Sequence, residues 1–348
     1  MDLKGLLKEA QEKQASDLHI TENAPPIFRI DGKLVFTDYK NLSRDDTKNM
    51  VYSILNDEHK KTFEKNLELD LSLTMPGIQR VRVNVHIQRG SVEAAFRLVS
   101  LEIRSVKKLG LPLIVEELAR RPSGLVLITG PTGVGKTTTL AAMVDLINQE
   151  REHLIVVIED PIEYLHVNKK SVIKQREVYS DTHSFTEALK HALRQDPNVV
   201  VVGEMRDLET ISTVLTAAET GHLVLATLHT PDAPQTIDRI IDVFPPYQQR
   251  QIMVQLSNSL QGIVAQRLLP RKEEPGRVVA TEVMVATPAI RNLVREHETE
   301  QLPTLIQTGS QYGMHTMDKS LKELFQKDII SYETAITFAK DRGEFQRP

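Results

Sequence analysis

Leu125-Val126-Leu127-Ile128-Thr129 runs directly into Gly130-Pro131-Thr132-Gly133-Val134-Gly135-Lys136-Thr137, and this junction decides the fold. The first stretch is almost wholly apolar, as a strand buried on both faces must be. The second matches G-x-x-x-x-G-K-[ST], and after it Leu140, Met143, Val144 and Ile147 recur at helical spacing. Strand, glycine-rich turn and helix together are the setting in which this motif binds phosphate. Glycines let the backbone fold tightly, so that N–H groups converge on phosphate oxygens, and the helix dipole adds positive potential. Lys136 then reaches the β- and γ-phosphates, and the Thr137 hydroxyl ligates magnesium. Gly130, Thr132, Gly133, Val134, Gly135, Lys136, Thr137 and Thr138 are the candidate nucleotide-binding residues. The competing reading, an ordinary turn opening an ordinary helix, has to produce the whole pattern by chance.

Outward from this junction, similar apolar runs recur at residues 154–158, 199–202 and 223–227, with helical segments between them. Buried strands alternating with helices predict a parallel sheet covered on both faces, an α/β domain over residues 123–348. Beyond Pro246 the pattern turns helical, with Ile252, Leu256, Leu260 and Ile263 as one long stripe. Short helices at 289–295, 316–326 and 331–339 complete a helical extension. Residues 101–122 read as a connector. Residues 1–100 have the pattern of a small α+β module. It starts with an amphipathic helix carrying Leu3, Leu6, Leu7 and Ala10, and residues 27–30 form a strand before an Asp31-Gly32 hairpin turn. A helix is expected over 45–67, and strands over 81–87 and 92–98, the first with Arg82 on the face opposite its valines.

The chain has 348 residues, 43 Lys+Arg against 47 Asp+Glu, and neither Cys nor Trp. Its length fits two or three domains. Without Cys there is no disulfide framework, thiolate zinc site or iron–sulfur cluster. A net charge of −4 and 5% aromatic content argue against a nucleic-acid partner that needs a basic, stacking channel. The apolar runs are far shorter than the ~18–20 residues of a membrane-spanning helix. The N-terminus lacks the apolar core of a signal peptide, so a cytoplasmic location is expected.

Two further strand ends carry acids. Val199-Val200-Val201-Val202-Gly203-Glu204 places a carboxylate where it can hold hydrated magnesium. Arg206-Asp207, just beyond, reads as a structural pair or a helix start. The run Glu159-Asp160-Pro161-Ile162-Glu163 offers three carboxylates, any of which can orient or deprotonate a water at the γ-phosphate. Spacing does not choose among Glu159, Asp160 and Glu163. Gly221-His222 and His229-Thr230 bracket another apolar run, with no zinc-type spacing.

In this order, the P-loop, the acidic box, the Gly203-Glu204-Met205-Arg206-Asp207 strand end and the paired histidines resemble the type II/type IV secretion ATPase superfamily. Within it, Ala15-Ser16-Asp17-Leu18-His19 and Ala289-Ile290-Arg291-Asn292-Leu293-Val294-Arg295-Glu296 make the chain similar to PilT-like pilus retraction ATPases. The resemblance implies a PAS-like N-terminal domain, a RecA-like ATPase domain and a hexamer that uses ATP and Mg2+. It assigns Glu163 as the catalytic glutamate and Glu204 as the magnesium acid, acting through water. It places His222 and His229 in a histidine box, and makes Arg82 and Arg97 the arginines that close onto the phosphates. The implied activity is ATP hydrolysis driving pilus retraction and twitching motility. The implied partner is an inner-membrane platform protein, with an accessory retraction ATPase beside it, and membrane association runs through partners only. In the 289–296 helix Ile290, Leu293 and Val294 form an apolar face that fits ordinary core packing, and Arg291, Arg295 and Glu296 on its polar face are candidates for contacting a partner or a neighbouring subunit. Pilus assembly or secretion ATPases are the nearest rival class, but they usually carry extra N-terminal domains and a four-Cys zinc module. A weak accessory subunit, a DNA translocase and a non-catalytic nucleotide sensor fit the motifs less well.

Overall fold

The two sequence patterns correspond to two sheets in the computed structural model, which describes residues 2–30, 32–73, 77–78, 80–98, 103–274 and 276–345. The chain divides into one unit of Met1–Glu102 with Glu163–Leu165, and a second of Ile103–Ile162 with His166–Pro348. Asp31 of the expected hairpin turn, and Leu101 and Glu102 of the expected connector, lie outside the described residues.

In the first unit α1 (Leu3–Glu12) precedes β1 (Asp17–Ile20), β2 (Ile27–Ile30) and β3 (Lys33–Phe36). Then come α2 (Arg44–Tyr52), α3 (Asp57–Asn66), β4 (Glu68–Leu73), β5 (Val81–Gln88) and β6 (Ser91–Leu98). The strands form an antiparallel sheet in the order β3-β2-β1-β6-β5-β4. Val81, Val83 and Val85 enter the core with Phe28, Phe63 and Phe96, which leaves Arg82 on the other face. The single helix expected over 45–67 is two helices. Asn56 adopts an extended conformation and its side chain accepts from the His59 amide, so it starts α3 afresh. An Asn cap followed by Asp57 and Glu58 is a helix start that outweighs the continuous polar pattern.

The second unit begins with α4 (Ile114–Ala119), β7 (Gly124–Thr129), α5 (Lys136–Glu150), β8 (Leu154–Glu159) and β9 (Val172–Glu177). It continues with α6 (Phe185–Ala192), β10 (Val199–Val202), α7 (Leu208–Glu219), β11 (Leu223–Leu228), α8 (Ala233–Asp242) and α9 (Pro246–Ser259). It ends with β12 (Leu260–Pro270), β13 (Arg277–Val285), α10 (Pro288–Glu296), α11 (Leu302–Thr308), α12 (Met317–Gln326) and α13 (Tyr332–Phe338). The seven-stranded sheet has the order β13-β12-β7-β11-β10-β8-β9, with β13 antiparallel at its edge and the others parallel. Every residue of β7, β10 and β11 is buried. At about 1.5–3 kcal/mol per buried aliphatic side chain, these central strands are a large share of the folding free energy.

The long helical stripe expected through Ile263 ends at Ser259. Leu260 turns extended, and β12 pairs with β7 on one side and β13 on the other. The slot between those strands admits only extended backbone. Gly262 is hemmed in, since a Cβ there would lie 2.8 Å from Leu118 Cδ2 and 2.9 Å from the Met284 carbonyl oxygen. At the C-terminal end, Asp318 accepts the backbone amides of Lys340 and Asp341, each at 2.8 Å. Lys340 Nζ lies 2.9 Å from Asp232 Oδ2 and 3.7 Å from Glu282 Oε2.

Gly262→Val should force α4 off the sheet and cost about 1–3 kcal/mol. A thermal melt matching the parent protein's would show that the slot has room to spare.

Candidate nucleotide and hydrolysis site

The turn from β7 into α5 builds the first part of the site. Gly130 has φ +136°, and a Cβ on it would lie 2.5 Å from the Gln266 carbonyl oxygen, so neither its conformation nor its surroundings admit a side chain. Gly135 caps α5 at φ +89° and offers no side-chain acceptor to the first-turn amides. A helix start of this kind is completed by an anion. Lys136 is only 8% exposed. Its ammonium donates to the Gly130 carbonyl at 2.7 Å and to the Pro131 carbonyl at 3.1 Å, which holds it over the loop. Thr137 and Thr138 follow in the first turn, half-buried.

Parallel alignment brings the other groups to the same sheet edge. Glu204 follows β10 and His229 follows β11, and the two strands run in register from Val199 opposite Leu223. The Met205 amide donates to the Thr227 carbonyl at 3.1 Å, tying the Glu204 turn to β11. His229 Nε2 lies 3.3 Å from Glu204 Oε1, and its Nδ1 lies 3.3 Å from Thr132 Oγ1. One imidazole therefore links the phosphate loop to the acid. Burial opposes ionisation of Glu204, but the Arg206 hydrogen bond and the His229 and Arg206 charges outweigh it and hold its carboxyl below the ordinary range. An ionised carboxylate linked through His229 to the phosphate loop suits a hard divalent cation, so the donor chemistry fits magnesium.

Arg206, read in the sequence as a structural pair with Asp207 or a helix start, pairs with Glu204. Its Nε and Nη2 each lie 2.8 Å from a Glu204 oxygen, a two-pronged grip on the acid. Asp207 does start a helix: its Oδ1 accepts the Thr210 amide and caps α7. His222 is not brought to this cluster. It stands before β11, at the opposite end of the strand from His229, where its Nδ1 contacts the Ala217 carbonyl at 3.0 Å and Thr220 Oγ1 at 3.2 Å. The strand between them sends the two histidines to opposite sheet edges, as their places on either side of the apolar run imply.

Arg82, Arg97 and Glu163 belong to the first unit. Arg82 and Arg97 face each other across β5 and β6. Arg97 Nε donates to the largely buried Asp17 at 2.9 Å, and Arg82 Nη1 approaches Glu163 Oε1 at 3.5 Å. On α10, Ile290, Leu293 and Val294 are buried. Arg291 Nη1 donates to the Ser257 and Asn258 carbonyls at 2.6 and 2.8 Å, and Arg295 donates to Asn258 Oδ1 at 3.3 Å. Both arginines close the C-terminal end of α9, where cations suit the helix dipole. Burial, with Arg121 and Arg295 nearby, lowers the Arg291 pKa.

A parallel sheet whose first strand turns through a phosphate loop, with an ionised acid two strands away, defines a P-loop nucleotide-binding protein. The family described as "Type II/IV secretion system protein" matches residues 1–334, and the chain belongs to it. It is 47% identical over 340 residues to the type IV pilus retraction ATPase PilT of Pseudomonas aeruginosa, covering 98% of each chain. It is 45% identical over 310 residues to a twitching motility protein of Neisseria gonorrhoeae, covering 89% of this chain and 83% of that one. Among solved structures, the pilus retraction motor PilT with bound ADP superposes with a TM-score of 0.93 at 48% identity, covering 99% of both chains. Among the described residues no helix is long and apolar enough to cross a membrane.

Lys136→Ala should abolish measurable ADP binding by titration calorimetry while the melting temperature holds. Unchanged affinity would remove the ammonium from the phosphate site.

Proposed function

We propose that this protein is an ATP-hydrolysing motor that withdraws pilin subunits from a type IV pilus and so drives twitching motility. The observation that carries the reading is the intact phosphate machinery, Lys136 on its loop with Glu204 and His229 beside it. A non-catalytic nucleotide sensor has no need of an acid kept ionised at that edge. The names of the relatives support retraction as the work done, and their near-complete coverage supports a shared architecture.

In this reading residues 1–100 are a PAS-like domain, 101–122 a linker, and 123–348 a RecA-like ATPase domain with a C-terminal helical extension. Magnesium, when bound, neutralises charge on the β- and γ-phosphates, and Thr137 and Glu204 would hold it, Glu204 through water. Lys136 binds the phosphates. Glu163 accepts a proton from the attacking water and aims it at the γ-phosphorus. Arg82 and Arg97 supply positive charge to the phosphates as negative charge grows there. His229 links the γ-phosphate side of the loop to Glu204, so loss of the terminal phosphate changes the bonds this imidazole can make. His222 acts outside its own chain's phosphate cluster. Six copies form the working ring at the cytoplasmic face of the inner membrane. The ring acts on a membrane-embedded platform protein, with an accessory retraction ATPase as a second partner.

Glu163→Gln should leave ADP and ATP binding within about threefold of the parent and lower turnover by about 10²–10⁴, the usual contribution of a positioned acid or base. Turnover at the parental rate would falsify the role of Glu163. Deleting the gene in its host should give cells that carry more surface pili than the parent and do not twitch. Bald cells would instead identify an assembly motor.

A further inference from the structure

Glu177 is a buried acid that the mechanism above does not use. It ends β9, opposite Glu159 at the end of β8, and is only 7% exposed. Its Oε2 accepts the backbone amide of Ile162 at 2.9 Å, inside the acidic box and one residue before Glu163. The surrounding backbone is braced. The Val178 amide donates to the Glu159 carbonyl at 2.9 Å. The Glu177 amide donates to Asp181 Oδ2 at 2.8 Å, and the Asp181 amide returns to the Glu177 carbonyl at 2.8 Å.

Placing a carboxylate under a loop is costly unless its oxygens are satisfied. A hydrogen bond to an ionised acceptor is about twice as strong as a neutral one. Pro161 has no N–H, so the amide of Ile162 is the first donor after it. Fixing that amide fixes the Pro161–Ile162 peptide plane, and so anchors the backbone one residue before Glu163. Errors of about 1 Å in the placement of a reacting group can cost about 10²-fold in rate.

The geometry points to Glu177 as a positioning residue for hydrolysis: by gripping the Ile162 amide it sets the direction in which the Glu163 carboxylate leaves the acidic box. This rests on the reading of Glu163 as the group that activates water.

The test uses the full chain with steady-state ATPase assays, binding of a fluorescent ADP analogue and thermal melts. Glu177→Ala should lower kcat by about 10- to 100-fold, with ADP-analogue affinity within about threefold of the parent. Glu177→Gln keeps an acceptor oxygen at the same reach and should restore kcat to within about fivefold. If the alanine variant fails to fold, Glu177→Asp, one methylene shorter, should lower kcat with a parental melt. In a Glu163→Gln background, Glu177→Ala should cost nothing further, since both changes disable one group. Parental kcat in Glu177→Ala, or in Glu177→Asp where alanine does not fold, overturns the proposal. So does equal loss of kcat and analogue affinity, or failure of glutamine to restore turnover. If Glu163→Gln itself turns over at the parental rate, the underlying reading falls instead, whatever the Glu177 variants do.

Discussion

The common direction of the central strands governs this molecule. Because β7, β8, β10 and β11 run parallel, their C-terminal ends meet at one edge, and each end hands over to a loop carrying a polar group. The phosphate loop, the acidic box, Glu204 and His229 lie on that edge for this reason alone. The cost is that the strands are apolar on both faces along most of their length, which pushes polar groups to their ends and to the turns beyond. His222 shows the same constraint from the other side: a residue before a strand is carried away from the site as surely as one after it is carried in.

The turns differ in how they are held. The phosphate loop depends on glycine geometry and on the close approach of β12 beneath Gly130. The Glu204 turn depends on a backbone bond to β11 and on the Arg206 grip. The acidic box depends on a carboxylate from a neighbouring strand. These are three solutions to one problem: a polar loop over an apolar sheet must be fixed by groups outside itself.

Much of this was legible in the sequence, and each omission has a physical cause. Buried parallel strands appear as unbroken apolar runs, so β7, β8, β10 and β11 stood out, as did the phosphate loop between its strand and helix. β9 did not, because Val172-Ile173-Lys174-Gln175-Arg176-Glu177 sits at the sheet edge and is mostly polar. β12 was hidden because Leu260 and Ile263 happen to continue the spacing of Ile252 and Leu256. The break at Asn56 was hidden because no glycine or proline marks it. The grip of Arg206 on Glu204 and the role of Glu177 escaped for a different reason. Both exist only through partners that tertiary packing supplies, and residue type and spacing do not announce those partners. The polar face of α10 was visible in its spacing, but the end of α9 that receives its arginines is distant in sequence.

Near its C-terminus the chain reaches back into the interior. Asp232, which caps α8 close after His229, and Glu282 of β13 are both almost wholly out of water, and burial pushes the Glu282 carboxyl upward. Lys340 is a cation they share. Shortening the polypeptide ahead of that lysine, or acylating its amine, therefore does not trim a loose tail. It strips the counter-ion from two interior acids, one of them at the root of the helix that follows His229.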